Sequence, residues 1–278
     1  MTFKILHLNV ERNRHTKAVI KLLEEKKPDV VCFAEAMYED IKTISSKLGY
    51  DFAFATRFIF KDNEKSDQEG SAILSKYPIL NIGKCRYDDK ILKNPITHTE
   101  KDWNTKDKER PKNRFLEKNT LLTALIQINE KQTVTISTTH FPVTDHSTPG
   151  LSDHDIKSWQ NIDDLEHADV YLDRLIKNIR SLIGPVVFTA DLNNPRGEYV
   201  YDTIAHELVD RVPISLKSSI DPSLHRVKGL ELMIDTIMTT PDISVKSFEV
   251  IEGVSDHKAF LALLQIAKHL NTRKKALV

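Results

Sequence analysis

The sequence predicts an α/β (α+β) fold built as a four-layer sandwich, two mixed β-sheets packed face to face with helices on the outside. Three observations predict it. Segments with strand periodicity outnumber those with helical periodicity. Hairpin-like pairs are interspersed with strand–helix–strand crossovers, a mixture that does not suit one doubly wound parallel sheet. No internal repeat and no Gly/Pro/Ser-rich linker divides the chain. Its 278 residues could make two domains by length alone, but they are read as one domain over residues 1–267 with a basic tail at 268–278.

Each element follows from local pattern. Residues 3–9 alternate apolar and other side chains, as a strand does. Ala18, Val19, Leu22 and Leu23 fall at helical spacing, and Pro28 ends that helix. Residues 29–34 form a nearly continuous apolar run, the pattern of a strand covered on both faces. A second helix is expected over 39–48, with Gly49 as its stop. Residues 71–75 and 79–83 read as strands on either side of Lys76-Tyr77-Pro78. Residues 121–128 and 133–138 flank the polar Asn129-Glu130-Lys131 turn as a hairpin. Ile162, Leu165, Ala168, Leu172, Leu175, Ile179 and Leu182 hold one stripe of a long helix, which Gly184-Pro185 terminates. Strands follow at 186–189, 233–238, 245–251 and 259–266. Two polar stretches break the rhythm. Residues 86–118 hold ten basic and seven acidic residues and read as a solvated insertion, with a substrate-facing flap as the alternative. Residues 141–158 are the second.

Bulk composition narrows the function classes. Forty basic residues balance forty acidic ones, which counts against a protein that coats DNA without regard to sequence. Eight glycines leave little room for a phosphate-cradling glycine-rich loop, and no Gly-x-Ser-x-Gly elbow is present. Cys32 lies in the apolar run Val30-Val31-Cys32-Phe33, so a buried free thiol is expected in preference to a bridge with Cys85. With no signal-like segment and no membrane-length apolar run, the expectation is a cytoplasmic protein.

Chemistry-bearing residues cluster at strand ends. Asn9 ends the first strand and Glu35 the second. His140 ends the hairpin's return strand, Asp191 and Asn193 follow 186–190, Asp235 interrupts an apolar run, and Asp256-His257 precede the final strand. One carboxylate at a strand end is usually a turn residue. Six places supplying only carboxylates, carboxamides and imidazoles suggest a site where strand ends converge. His140, His146 and His154 with Asp145, Asp153 and Asp155 invite a zinc reading, but their spacings match no zinc motif.

Seven segments, in order over nearly the whole chain, resemble the endonuclease/exonuclease/phosphatase superfamily. They are Leu8-Asn9-Val10-Glu11, Phe33-Ala34-Glu35, Gly70-Ser71-Ala72-Ile73-Leu74-Ser75, Thr138-Thr139-His140-Phe141, Ala190-Asp191-Leu192-Asn193, Ile234-Asp235-Thr236-Ile237 and Ser255-Asp256-His257. The resemblance implies a metal-dependent phosphoester hydrolase acting on nucleic acid, a phospholipid headgroup or a small phosphodiester. It implies Glu35 as principal ligand to Mg2+ or Mn2+, with Asn9 beside it, Asp256 near the metal and Glu11 where relatives carry Asp. Asp191 would orient or deprotonate the attacking water, and Asn193 would hold phosphate or nucleophile. His257, paired with Asp235, would contact the scissile phosphate, and His140 would donate to a phosphate oxygen or to the leaving group. A phosphomonoesterase and a non-catalytic phosphate-binding module are the alternatives. The chain departs from the family at Glu11, at Ala190 where Gly is usual, and at Leu232-Met233-Ile234, which lacks the usual nearby Arg or Lys. A family Tyr or Arg between the Glu and first His motifs has three candidates: Arg57, Tyr87 and Arg114.

Overall fold

The computed structural model describes residues 1–62, 65–87, 114–115, 119–144, 147 and 168–267. Chain order begins β1 (Thr2–Asn9), α1 (Thr16–Lys26), β2 (Val30–Met37), α2 (Tyr38–Leu48), β3 (Asp51–Asp62), β4 (Lys65–Ser75) and β5 (Ile79–Arg86). It continues with β6 (Arg114–Phe115), β7 (Thr120–Asn129), β8 (Gln132–His140), α3 (Ala168–Ser181) and β9 (Val186–Asp191). Last come α4 (Tyr199–Glu207), β10 (Val209–Asp210), β11 (Asp235–Thr239), β12 (Ile243–Ile251) and β13 (Ala259–Ile266). Most of the polar stretch 86–118, most of 141–158 with His146 and His154, the first turns expected of the long helix, and the tail 268–278 lie outside the described residues.

Two mixed sheets pack face to face, as the sequence predicts. One has seven strands in the order β12-β13-β1-β2-β4-β3-β6, the other six in the order β10-β11-β9-β8-β7-β5. Each contains one parallel pair, β1 with β2 and β8 with β9, and the connection from one partner to the other carries α1 or α3. That is the crossover a parallel pair requires. Every other pairing among the described residues is antiparallel.

Alternation divides the side chains among three cores. Phe3, Ile5, Cys32, Ile73, Val134, Ile136, Val187, Ile237 and Phe260 fill the space between the sheets. Leu6, Leu8, Val31, Phe33 and Leu74 face α1 and α2 through Val19, Leu22, Leu23, Ile41 and Ile44. Phe188, Ala190 and Met238 face α3 and α4 through Leu172, Leu175, Val200 and Ile204. Helix ends follow the expected chemistry. Gly49 closes α2 with φ 70°, while Lys27 closes α1 at φ 50°, one residue before Pro28. Cys32 and Cys85 are both free, and Cys32 is fully buried between the sheets.

Residues 71–75 and 79–83 are strands as expected, within β4 and β5, and belong to different sheets, while β3 and α4 are not anticipated. Asp235 begins β11 instead of lying inside a strand. β11 runs antiparallel to β9, so its amino end meets the carboxyl end of β9 and Asp235 pairs in register with Asp191. Among the described residues no helix is long and apolar enough to cross a membrane.

Candidate active site

The site is what remains when the inward stripes of the two sheets run out of apolar residues. Phe3 and Ile5 of β1 point between the sheets, and period-two alternation carries the stripe to His7 and Asn9. On β8 it runs from Val134 and Ile136 through Thr138 to His140, and on β9 from Val187 through Thr189 to Asp191. On β11 it begins at Asp235 and continues to Ile237. Register aligns them, since His140 pairs with Asp191 and Asp191 with Asp235.

Glu35 needs a different device. Val31 and Phe33 face the helices, so uninterrupted alternation would send Glu35 the same way. The β2–β4 ladder breaks between Phe33 and Ala36, and Glu35 adopts φ 52° there. This bulge reverses the phase. Arg57 is delivered similarly, by a break in the β3–β4 ladder between Thr56 and Phe58. Gly70 pairs with both Ala36 and Thr56. Five described non-glycine residues have positive φ: Glu11, Arg12, Glu35 and Asn193 at the site, and Lys27 at the α1 terminus. Such backbone strain concentrates where function requires it.

Hydrogen bonds then fix the groups. Asp191 Oδ2 accepts from Asn9 Nδ2 at 2.9 Å, and Oδ1 accepts from the backbone N–H of Asn193 at 2.9 Å. The Nε2 atoms of His140 and His257 lie 3.5 and 3.9 Å from Asp191 Oδ2. Asp235, with its side chain fully buried, binds His257 Nδ1 through Oδ2 at 2.7 Å and His7 Nε2 through Oδ1 at 3.0 Å. The Ser219 hydroxyl accepts the backbone N–H groups of Ile234 and Asp235, both at 3.1 Å. The Asn193 amide nitrogen donates to the carbonyl of Phe141 at 2.9 Å and lies 2.7 Å from His140 Nε2. Arg57 Nη1 meets His140 Nδ1 at 2.6 Å. Arginine and the Asn193 amide nitrogen have only protons to give, and a neutral imidazole offers one lone pair, so the two contacts compete for it.

The two histidines are driven apart. Burial and the adjacent Arg57 guanidinium hold His140 well below its ordinary range, so it is neutral. Burial would do the same to His257, but Asp235, with Asp191 and Asp256 behind it, raises it well above its ordinary value. Burial and the Asp235 charge push Asp191 up to about 6, against the pull of His257. Asp235 works against burial too, yet His257 and His7 hold it below the usual carboxylate range.

A second group of carboxylates lies beside this cluster. Burial would raise Glu35, but Arg12 and Arg57 hold it low, and it takes a hydrogen bond from Asn9. Asp256 is raised by burial and by Glu35, with Ser255 Oγ donating to it at 3.1 Å. Glu11 is raised by burial and by Asp256. Carboxylates that raise one another make an oxygen-rich set suited to a hard divalent cation. Within it, Glu11 has both oxygens engaged, by Arg14 at 2.5 Å and His15 at 3.1 Å, so Glu35 and Asp256 are the more open donors. Asp191, Asp235 and His257 also offer ligand atoms within 4.8 Å of one another. Both oxygens of Asp235 are already bound to imidazoles, which makes that triple a hydrogen-bonded relay before it is a ligand set.

The structure thus brings together Asn9, Glu35, His140, Asp191, Asn193, Asp235, Asp256 and His257, with Glu11 at the margin. Of the three Tyr/Arg candidates, Arg57 reaches the site. Tyr87 lies behind it, buried, stacked on Phe141 and bonded to Thr139 Oγ1 at 2.8 Å. His7 and Ser219 are not among the residues that the sequence singles out. The available signal for His7 was a polar residue in phase with Phe3 and Ile5; nothing local marks Ser219.

Fold and site together define a two-sheet sandwich with an imidazole–carboxylate centre at the end of the inter-sheet space. The family model for the endonuclease/exonuclease/phosphatase family matches residues 1–257, and the chain belongs to that family. Phosphoester hydrolysis is the chemistry that membership supports. No curated protein matches the sequence. Similar solved structures include an endonuclease/exonuclease/phosphatase from Bacteroides vulgatus, at 16% identity and TM-score 0.64, covering 96% of this chain and 99% of that one. The human Nocturnin catalytic domain with bound sulfate aligns at 13% identity and TM-score 0.64, covering 96% and 94%. ANGEL2, a 2′,3′-cyclic phosphatase, aligns at 14% and 0.60, covering 95% of each chain. At these identities the likeness is one of fold.

Proposed function

We propose that the protein is a divalent-metal-dependent phosphodiesterase that cleaves its substrate by in-line attack of water, with no covalent intermediate. The observation that carries the reading is Asp191, a buried carboxylate lifted to about 6 and facing one neutral and one protonated imidazole. A base with that affinity for protons is matched to work near neutral pH. In this reading Asp191 takes the proton of the attacking water. His257, held by Asp235, presents its Nε2–H to a phosphate oxygen. His140, kept neutral and oriented by Arg57, donates its Nε2–H to a second oxygen or to the departing alkoxide, and Asn193 helps position the phosphate. Glu35 and Asp256, with Asn9 beside them, would hold Mg2+ or Mn2+, and Glu11 would act at most as an outer partner. The ion would neutralise charge developing on phosphate.

The test is hydrolysis of bis-p-nitrophenyl phosphate and p-nitrophenyl phosphate with magnesium, with manganese and with EDTA. Metal-dependent release from the diester, falling about a thousandfold in Asp191→Asn, is expected. Preference for the monoester would move the protein to the phosphomonoesterases. Release that survives both EDTA and the substitution would defeat the mechanism.

A further inference from the structure

We infer that His7 is a positioning residue for this centre: it binds the second oxygen of Asp235 and so holds the carboxylate in the orientation that aligns His257. The inference rests on the reading of Asp235 and His257 given under Proposed function. The geometry is a chain of three buried side chains from strands of different sheets and the loop before β13. His7 Nε2 meets Asp235 Oδ1 at 3.0 Å, and Asp235 Oδ2 meets His257 Nδ1 at 2.7 Å. His7 and Asp235 are fully buried.

The orientation of the His7 ring identifies its proton. Nε2 faces a carboxylate oxygen, which can only accept, so Nε2 carries the hydrogen. Among the described residues Nδ1 is buried with no hydrogen-bond partner. An apolar residue in phase with Phe3 and Ile5 would extend the inter-sheet core without that unpaired nitrogen, and a buried polar group left unpaired is destabilising. The arrangement is explained if the bond from Nε2 matters more than the orphaned Nδ1. A carboxylate held through one oxygen rotates about its terminal torsion, whose preference is broad. Held through both oxygens, Asp235 is fixed, and His257 Nε2 is fixed with it. Residues that orient a site's groups in this way commonly change activity by about 10- to 100-fold when lost.

The experiment compares His7→Phe, His7→Leu and His7→Gln, alone and with Asp235→Asn, after thermal melts confirm folding. The first two remove the donor, and the third offers an amide N–H near the same place. Expected is a fall in kcat on bis-p-nitrophenyl phosphate of about tenfold or more in the Phe and Leu variants. KM should change less than twofold by the same reasoning, and Gln should recover most of the loss. In the Asp235→Asn background the His7 substitutions should add little, because His7 acts through that carboxylate. Full additivity would overturn the inference, as would wild-type kcat in a folded Phe or Leu variant. A second readout needs no turnover. The His257 Nδ1–H resonance in imidazole nitrogen–proton NMR should move or broaden in the Phe or Leu variant and persist in Gln. An unchanged resonance in both donor-free variants overturns the inference. The NMR effect in a wild-type protein that hydrolyses neither compound would instead count against the proposed reaction and leave the positioning role standing.

Discussion

Asp191 concentrates the conflict between stability and chemistry at the level of single residues. Its carboxyl is raised to about 6 by burial and by Asp235. Below the ordinary aspartate range both the folded and unfolded chains hold this proton, and the group is neutral in its effect. Between that range and about 6 the folded chain binds more protons than the unfolded one, so stability falls as pH rises. Above about 6 the cost is constant. Asp191→Asn cannot ionise, and the variant should lose this pH dependence. Urea unfolding of the metal-free proteins should show the difference in stability moving in the variant's favour by on the order of 2 kcal/mol between pH about 4 and about 7. The amide also sets a donor against Asn9 or Asn193, a loss that offsets the whole curve without tilting it. A difference flat across this range would remove the perturbed carboxyl from the account. The identity of Asp191 was legible in Ala190-Asp191-Leu192-Asn193, but its raised affinity was not. That arises from burial and from Asp235, which lies 44 residues on in the sequence and across the β9–β11 ladder.

At the scale of elements, two bulges do what alternation could not. Glu35 and Arg57 both sit at breaks in their ladders with β4, and Gly70 lies opposite each break. A Cβ at Gly70 would stand 1.9 Å from the carbonyl oxygen of Ala55 and 3.1 Å from the backbone nitrogen of Arg57. Both neighbours are main chain, so the clash cannot be relieved by a rotamer change. Gly70→Ala should therefore spread β3 from β4 and destabilise the protein by about 1–3 kcal/mol in urea unfolding. It should also cost more activity than an equally destabilising change elsewhere in β4, because it displaces Arg57 from His140. A variant with wild-type stability would show that the strands separate freely here. Gly70 is visible in the sequence as the first residue of Gly70-Ser71-Ala72-Ile73-Leu74-Ser75, but the close approach of β3 that requires glycine there is not. In sequence β2 has the pattern of an ordinary buried strand, since periodicity reports the phase of a strand and a bulge is the place where phase changes. The sequence marks β3 by the alternation of Phe52, Phe54 and Thr56 with Ala53 and Ala55.

For the molecule as a whole, the two-sheet layering was readable because it depends on local periods summed over many segments. The relay was half readable. Asp235 and His257 stand in recognisable segments, whereas the His7–Asp235 bond joins residues 228 positions apart and carries no local signature. The carboxylate group formed by Glu35, Asp256 and the partly engaged Glu11 is also assembled from distant segments, by β2, by the loop before β13 and by the turn after β1. Burial first, and then neighbouring carboxylates, raise the proton affinity of Asp256 and Glu11, a charge conflict in the metal-free fold that a bound divalent ion would relieve. A ligand that binds the folded chain and not the unfolded one stabilises it by mass action. At about a hundredfold excess over Kd the gain is about 2.7 kcal/mol. For a chain of 278 residues this corresponds to a rise in Tm of about 5 °C. Thermal melts in EDTA and in rising magnesium or manganese should show that rise, and it should shrink sharply in Glu35→Gln. The substitution keeps the shape while removing the charge and turning one acceptor oxygen into a donor, so an equal rise in the variant would place the ion elsewhere. The Asp191–Asp235–His257 triple would then be the next set to test, and Asp191→Asn melts would decide it. No rise in either protein would leave the three carboxylates without the cation that their arrangement calls for.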